Sequence, residues 1–418
     1  LKLDNAAKLF PAISSSELTS VFRITVGLDR PVRYSCLMEA IDITVERFPY
    51  YRVVLGSGIF WHYLEYTDRN PELLPEEEIP CKAFLIRQKK TLLYRILARS
   101  DRISVEFLHI LTDGSGALEF LKTLLLVYLR KTGCNITATD GIILPESPVN
   151  PEEIEDGYKR FFRKVPSPAK KKAAWHLPFR LNSKPRLRIT RAELAVDQLL
   201  AASRKDEVSI TEYLAAVYLY SLHNIFLAQN RHAKRKPTIL RIEVPVNLRK
   251  RFPLATMRNF SLFVMPEIDL SLGNYSFKEI LSVVHHGLQS GSDPKQISRF
   301  LSSNVSYEKN ILVRLLPLFV KEMAISAIYR NIGSKQCSGI ITNLGAVTLP
   351  PEFSEFVKSF EIIPPPPNKT VKASCGVVSY NNKLIICFAN ITESKELEKH
   401  FFSYLTRNGI NVKLLLNK

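Results

Sequence analysis

Apolar and polar residues alternate with a period of two along some stretches of this chain and recur at helical spacing along others. Ile103, Val105, Phe107 and His109 share one face of a strand, and Ala117, Leu121, Leu124, Leu125 and Tyr128 then trace the buried side of a helix expected over 116–131. A histidine therefore stands at a strand-to-helix junction, with Asp113 four residues on and Gly114 and Ser115 suited to a tight turn. Upstream, Phe22, Ile24 and Val26 alternate in a strand, and residues 36–48 carry the apolar face of a helix that Pro49 stops. Further strands are expected at 51–55, 59–66, 83–87 and 92–98.

Between about 135 and 189 the periodicity fades and Pro, Lys and Ser accumulate, as in a connection between domains, with one short helix expected over 152–163. Beyond it the α/β theme returns. Ser209 and Glu212 have capping-box spacing ahead of a helix striped by Leu214, Val217, Tyr218, Leu222 and Ile225. A strand over 238–247 leads into the basic turn Leu248-Arg249-Lys250-Arg251, followed by a strand at 260–264 and helices at 276–289 and 312–329, the latter kinked or started at Pro317. Residues 338–343 form a strand ending in Asn343-Leu344-Gly345. Asn381-Asn382 is the two-residue turn of a hairpin over 371–389, and Thr392 caps a helix to Arg407 before a last strand. The expected division is an N-terminal domain over 1–165, a linker over 166–190 and a C-terminal domain over 191–418.

Composition narrows the classes. The 46% apolar and 23% charged content over 418 residues is that of a globular protein, and no apolar run reaches the length needed to span a bilayer. Six cysteines are scattered without C-x-x-C spacing, which speaks against zinc or a disulfide framework and fits a reducing cytoplasm. The chain opens at Leu1 without Met or a signal-peptide pattern, so residues upstream are expected. A net charge of +18 suits an anionic ligand or an acidic carrier. It is dispersed and lacks aromatic interleaving, so nucleic acid is not the expected partner.

By itself H-x-x-x-D-G arises by chance, and a histidine ending a strand is ordinarily structural. Three more stretches change that: Val244-Pro245-Val246-Asn247-Leu248-Arg249, Arg258-Asn259-Phe260 and Ile341-Thr342-Asn343-Leu344-Gly345. With His109 to Gly114 they follow the order and rough spacing of one superfamily. The chain resembles the coenzyme A-dependent acyltransferases that include chloramphenicol acetyltransferase, peptide-synthetase condensation domains, the plant BAHD enzymes and, closest in pattern, the microbial alcohol acetyltransferases. It departs from the condensation pattern, which has two adjacent histidines, because Leu108 precedes His109. It also departs from the plant pattern, whose D-F-G-W-G segment is replaced by Pro364 to Pro367 and the strand after it.

The resemblance implies two similar α/β domains with mixed, partly antiparallel sheets and flanking helices, meeting at an active-site tunnel. It implies His109, Asp113 and Gly114 as the catalytic motif. His109 would take the proton from an alcohol or amine acceptor as it attacks an acyl thioester, acetyl among them, delivered by coenzyme A or an acyl carrier protein, with no permanently bound cofactor and no metal. Asp113 would pair with Arg249 and hold geometry. Asn343 is a candidate oxyanion donor as well as an ordinary turn residue, and Asn259 a tunnel residue. Lys250 and Arg251 are candidate phosphate contacts. No Gly-rich phosphate loop or G-x-S-x-G elbow offers a rival centre. The competing class is an inactive relative that keeps the fold to bind an acyl carrier, a lipid or an acidic partner.

Overall fold

The computed structural model describes residues 1–86, 88, 91–229 and 237–416. Two mixed sheets organise it. The first has the spatial order Val357–Ile363, Val21–Leu28, Arg102–Leu108, Tyr94–Arg99, Leu73–Pro75, antiparallel except for the last pair. The second runs Glu267–Asp269, Ile239–Asn247, Gly339–Ala346, Ala373–Tyr380, Lys383–Asn390, Arg188–Ala195, Lys413–Leu415, with Ser261–Val264 also paired to Ile239–Asn247. Gly339–Ala346 is parallel to both of its neighbours, and the other pairs of this sheet are antiparallel.

The strand Arg102–Leu108 is buried on both faces, and the two faces do different things. Ile103, Val105 and Phe107 meet the helix Gly114–Lys131 in a core where Phe107 stacks on Tyr94 at 5.0 Å and meets Phe120 edge-on at 5.6 Å. On the opposite face Glu106 is fully buried. It accepts from Arg23 Nε at 2.7 Å, Arg95 Nε at 2.6 Å and the Cys81 amide at 2.7 Å, so its charge is paired from both neighbouring strands. A rigid, two-sided strand is thus what delivers His109 at its end.

In the second half, Ser209 and Glu212 exchange side-chain and backbone hydrogen bonds and open the helix Ile210–Gln229, whose buried stripe packs on the second sheet. Asn381 and Asn382 turn the hairpin with φ of 44° and 58°, the left-handed region that a tight primed turn needs.

The local structure departs from expectation in several places. The helix expected over 152–163 is two short turns, Pro151–Ile154 and Gly157–Arg160, parted at Glu155, which is extended at ψ 144°. Residues 83–86 and 88 form no strand, and Arg87 lies outside the described residues. The Cys81 amide is drawn onto Glu106 with φ 58°, and Phe84 lies on the Arg95 guanidinium at 4.6 Å, so the segment covers the sheet instead of joining it. The expected helix over 312–329 is two, Ile311–Leu315 and Leu318–Asn331, because Leu316 before Pro317 is extended at ψ 138°. The helix Pro294–Lys309 was not anticipated, although Asp293 caps it and Pro294 fills its first position. Thr392 does not cap the last helix. It is buried against Asn390 Oδ1, and that helix begins at Glu396.

Candidate active site

The chain leaves the strand Arg102–Leu108 at His109, turns through residues 109–112, and enters the helix Gly114–Lys131 two residues earlier than its periodicity suggests. The cause is Asp113. One carboxylate oxygen caps the helix by accepting from the Ser115 and Gly116 amides, each at 3.2 Å. The other accepts from Arg249 Nη1 at 2.8 Å and from the Phe260 amide at 2.8 Å. Burial by itself would raise the Asp113 pKa. The Arg249 charge and hydrogen bond, with the Phe260 and Gly116 amides, outweigh it and hold the carboxyl below its ordinary value.

Arg249 reaches this carboxylate from a short helical turn, Leu248–Lys250, that Asn247 caps. Its N–H groups also donate to the Thr256 carbonyl at 2.8 Å, to Asn247 Oδ1 at 3.3 Å and to the Arg258 carbonyl, so the guanidinium fork spans four acceptors. Asn247 also donates to Ser115 Oγ at 3.0 Å.

Residues 256–260 are fastened to the histidine turn at further points. Thr112 Oγ1 donates to the Met257 carbonyl at 2.6 Å, as does Tyr51 Oη at 2.8 Å. Asn259 donates to the His109 carbonyl at 2.8 Å and to Asp4 Oδ2 at 3.1 Å. Burial pushes the Asp4 carboxyl up to about 6, against the Arg258 charge and the Ala7 amide. Gly116 makes the closest approach: a Cβ there would lie 2.5 Å from the Met257 carbonyl oxygen. Gly114 is less crowded, a Cβ there coming within 3.2 Å of Leu344.

The His109 ring lines a cavity of about 1460 Å³ that also takes in Ser20, Asn247, Glu243, Thr342 and Ser374, and so receives side chains from both halves of the chain. The imidazole lies between Phe10, stacked at 5.4 Å, and Phe22, tilted at 4.6 Å. Burial against these rings lowers its pKa below 6.5, while Asp113, Asn259 and the Thr112 backbone act in the opposite direction. The downward shift favours the neutral imidazole, the form a proton acceptor needs.

Other candidates fall less centrally. Asn343 lines the cavity with its amide engaged, donating to Thr211 Oγ1 at 2.9 Å and accepting from the Gly345 amide at 2.8 Å where Gly345 has φ +88°. Lys250 and Arg251 line the cavity and are exposed. Among the described residues, no group of three His, Cys, Asp or Glu is placed to hold a metal ion. None of their helices is long and apolar enough to cross a membrane. Sequence reasoning assigned no role to Phe10, Thr112 or Gly116. For Gly116 the signal was there, a glycine inside a helical stretch; Phe10 gave none, since its partner lies 99 residues away.

No family model matches the sequence, and no curated protein sequence is similar to it. Solved structures do match over the whole chain. TRI101 of F. sporotrichioides, complexed with coenzyme A and T-2, superposes with a TM-score of 0.63 at 11% identity, covering 99% of both chains. The fold is that of the coenzyme A-dependent acyltransferases and condensation domains. The first condensation domain of the CDA synthetase has a TM-score of 0.60 at 13% identity over 99% of this chain and 98% of that one. A wax ester synthase/diacylglycerol acyltransferase from Marinobacter aquaeolei VT8 has 0.53 at 11% identity over 98% and 100%. These full-length superpositions establish the acyltransferase-like fold with its mixed sheets and flanking helices.

Proposed function

We propose that the protein is an acyltransferase that moves an acyl group, acetyl among them, from a coenzyme A or carrier-protein thioester to an alcohol or amine. His109 is the general base in this reading. Its imidazole takes the acceptor proton as the hydroxyl or amine attacks the thioester carbonyl. The tetrahedral intermediate collapses, the C–S bond breaks, and the imidazolium returns the proton to the departing thiolate. Asp113 and Arg249 act on geometry, keeping the 109–113 turn against 256–260. The division into a 1–165 and a 191–418 domain joined by a 166–190 linker belongs to the same reading.

The observation that carries it is a half-buried histidine, its ring packed against Phe10 and Phe22, on the wall of a large cavity lined from both halves of the chain. The structural neighbours, among them TRI101 complexed with coenzyme A, a condensation domain and a wax ester synthase/diacylglycerol acyltransferase, support the chemistry. The test incubates the protein with a panel of acyl thioesters and candidate alcohols and follows free thiol. Turnover that needs both substrates is expected, with His109→Ala lowering kcat by about 10²–10⁴-fold while the thermal midpoint stays close to that of the parent. A variant that turns over at the parent rate refutes the assignment.

A further inference from the structure

The segment 311–332 exposes large apolar side chains that a globular surface ordinarily scatters singly. Leu312 is 73% exposed, Met323 69% and Phe319 64%, and Ile311, Leu315 and Ile332 are also exposed. A second, chain-distant segment extends this face. The Leu318 amide donates to the Ile59 carbonyl at 2.8 Å and Lys321 Nζ to the Phe60 carbonyl at 2.9 Å, which brings Ile59, 77% exposed, and Phe60 alongside.

The charge on this face has one sign. Arg314 and Arg330 of the segment, and Lys335 just beyond it, are exposed, and among the described residues none of the three pairs with a carboxylate. The nearby carboxylates are occupied: Glu308 by Lys8 and Lys159, and Glu322 by His62 at 2.9 Å. The whole chain carries +18. A second copy of the same face would set cations against cations, whereas an anionic surface with an apolar interior complements both features. The face is also the outer side of the cavity wall, since Leu316, Ile325, Ile328 and Tyr329 of the same segment line the space that holds His109.

We propose that residues 311–332, with Ile59 and Phe60, seat the protein on the surface of an anionic phospholipid bilayer. The apolar side chains enter the headgroup boundary, and Arg314, Arg330 and Lys335 meet lipid phosphates and carboxylates. The segment lies along the bilayer surface and does not cross it. This surface stands on exposure and charge, and does not require the acyl-transfer reading.

The test is flotation of the full chain with vesicles of phosphatidylcholine alone and of phosphatidylcholine mixed with phosphatidylserine. Binding to the mixed vesicles is expected, weaker by about ten-fold or more on phosphatidylcholine alone or in high salt. The triple variant Leu312→Glu, Leu315→Glu, Phe319→Glu changes only exposed positions that do not line the cavity, and it loses binding with an unchanged thermal midpoint. Arg314→Glu with Arg330→Glu, a second variant that alters charge alone, also weakens binding to the mixed vesicles. His109→Ala floats as the parent does, so the failure of the catalytic proposal and the failure of this one are separate results. The idea is overturned if the parent floats with neither vesicle, if both surface variants float like the parent, or if the face proves to join two copies, seen as a dimer that the triple variant splits in sedimentation.

Discussion

Arg249 and Asp113 lie 136 residues apart in sequence and 2.8 Å apart in space, with side chains that are 16% and 8% exposed. Removing one member of such a pair leaves a buried charge alone. Arg249→Ala should cost about 3–5 kcal/mol in denaturant unfolding near neutral pH. Arg249→Lys should recover little of that, because an ammonium cannot span Asp113, Thr256 and Arg258 together. The pH dependence has a definite sign. The folded Asp113 pKa lies below 3.8, so the contribution of its ionised form is present above that value and is lost as pH falls through the lower folded one. The Arg249→Ala deficit should therefore shrink in acid, as protonation relieves the stranded carboxylate. A deficit under ~1 kcal/mol near neutrality, as for a surface pair, contradicts the account.

Packing of the half-buried His109 ring against Phe10 and Phe22 holds its pKa below the ordinary histidine value of 6.5. With His109 as base, kcat/KM should rise with pH along an acid limb below 6.5 and stay level through neutrality. Phe10→Ala admits water to one ring face, which favours the charged form, and should move that limb upward toward 6.5. An unmoved limb would show that Phe10 does not control the imidazole. The same depression acts on stability: between the folded value and 6.5 the unfolded chain binds the extra proton, so stability falls as pH drops through that window.

Gly116→Ala should destabilise by about 1–3 kcal/mol, because the new methyl meets the Met257 carbonyl and the Tyr51 hydroxyl, at 2.5 Å and 2.8 Å, in a region with no slack. A helix interior otherwise gains from glycine to alanine, so a raised thermal midpoint would contradict the packing described for the turn.

Asn259→Ala removes the donor to the His109 carbonyl and to Asp4 Oδ2. A loss of about 1–3 kcal/mol is expected from stranding these acceptors. Since Asn259 holds the backbone beneath the base, kcat should fall more than KM rises. Steady-state kinetics with an unchanged kcat would reduce the residue to a stability role.

Local patterns in the chain were enough to place the strand before His109, the helix after it, the Ser209 and Glu212 box, and the Asn381-Asn382 hairpin, because each is governed by neighbours a few residues away. The pairing partners were not legible in the same way. Nothing in the Phe10 neighbourhood indicates a ring stacked on residue 109, and Val357–Ile363 joins the first sheet beside Val21–Leu28 through hydrogen bonds that leave no local signature. Thr112 sat inside a motif already singled out, and Gly116 two residues after it. What they do depends on the Met257 carbonyl, whose approach is set by the packing of a distant loop.

Val357–Ile363 also governs how the molecule is made. Until it emerges from the ribosome, the edge of Val21–Leu28 that it covers has no partner. At about 5–20 residues per second, synthesis of the intervening chain takes on the order of tens of seconds. For that interval the nascent protein carries an open, apolar edge that invites wrong pairings, and it is then that a holding chaperone would have most to protect.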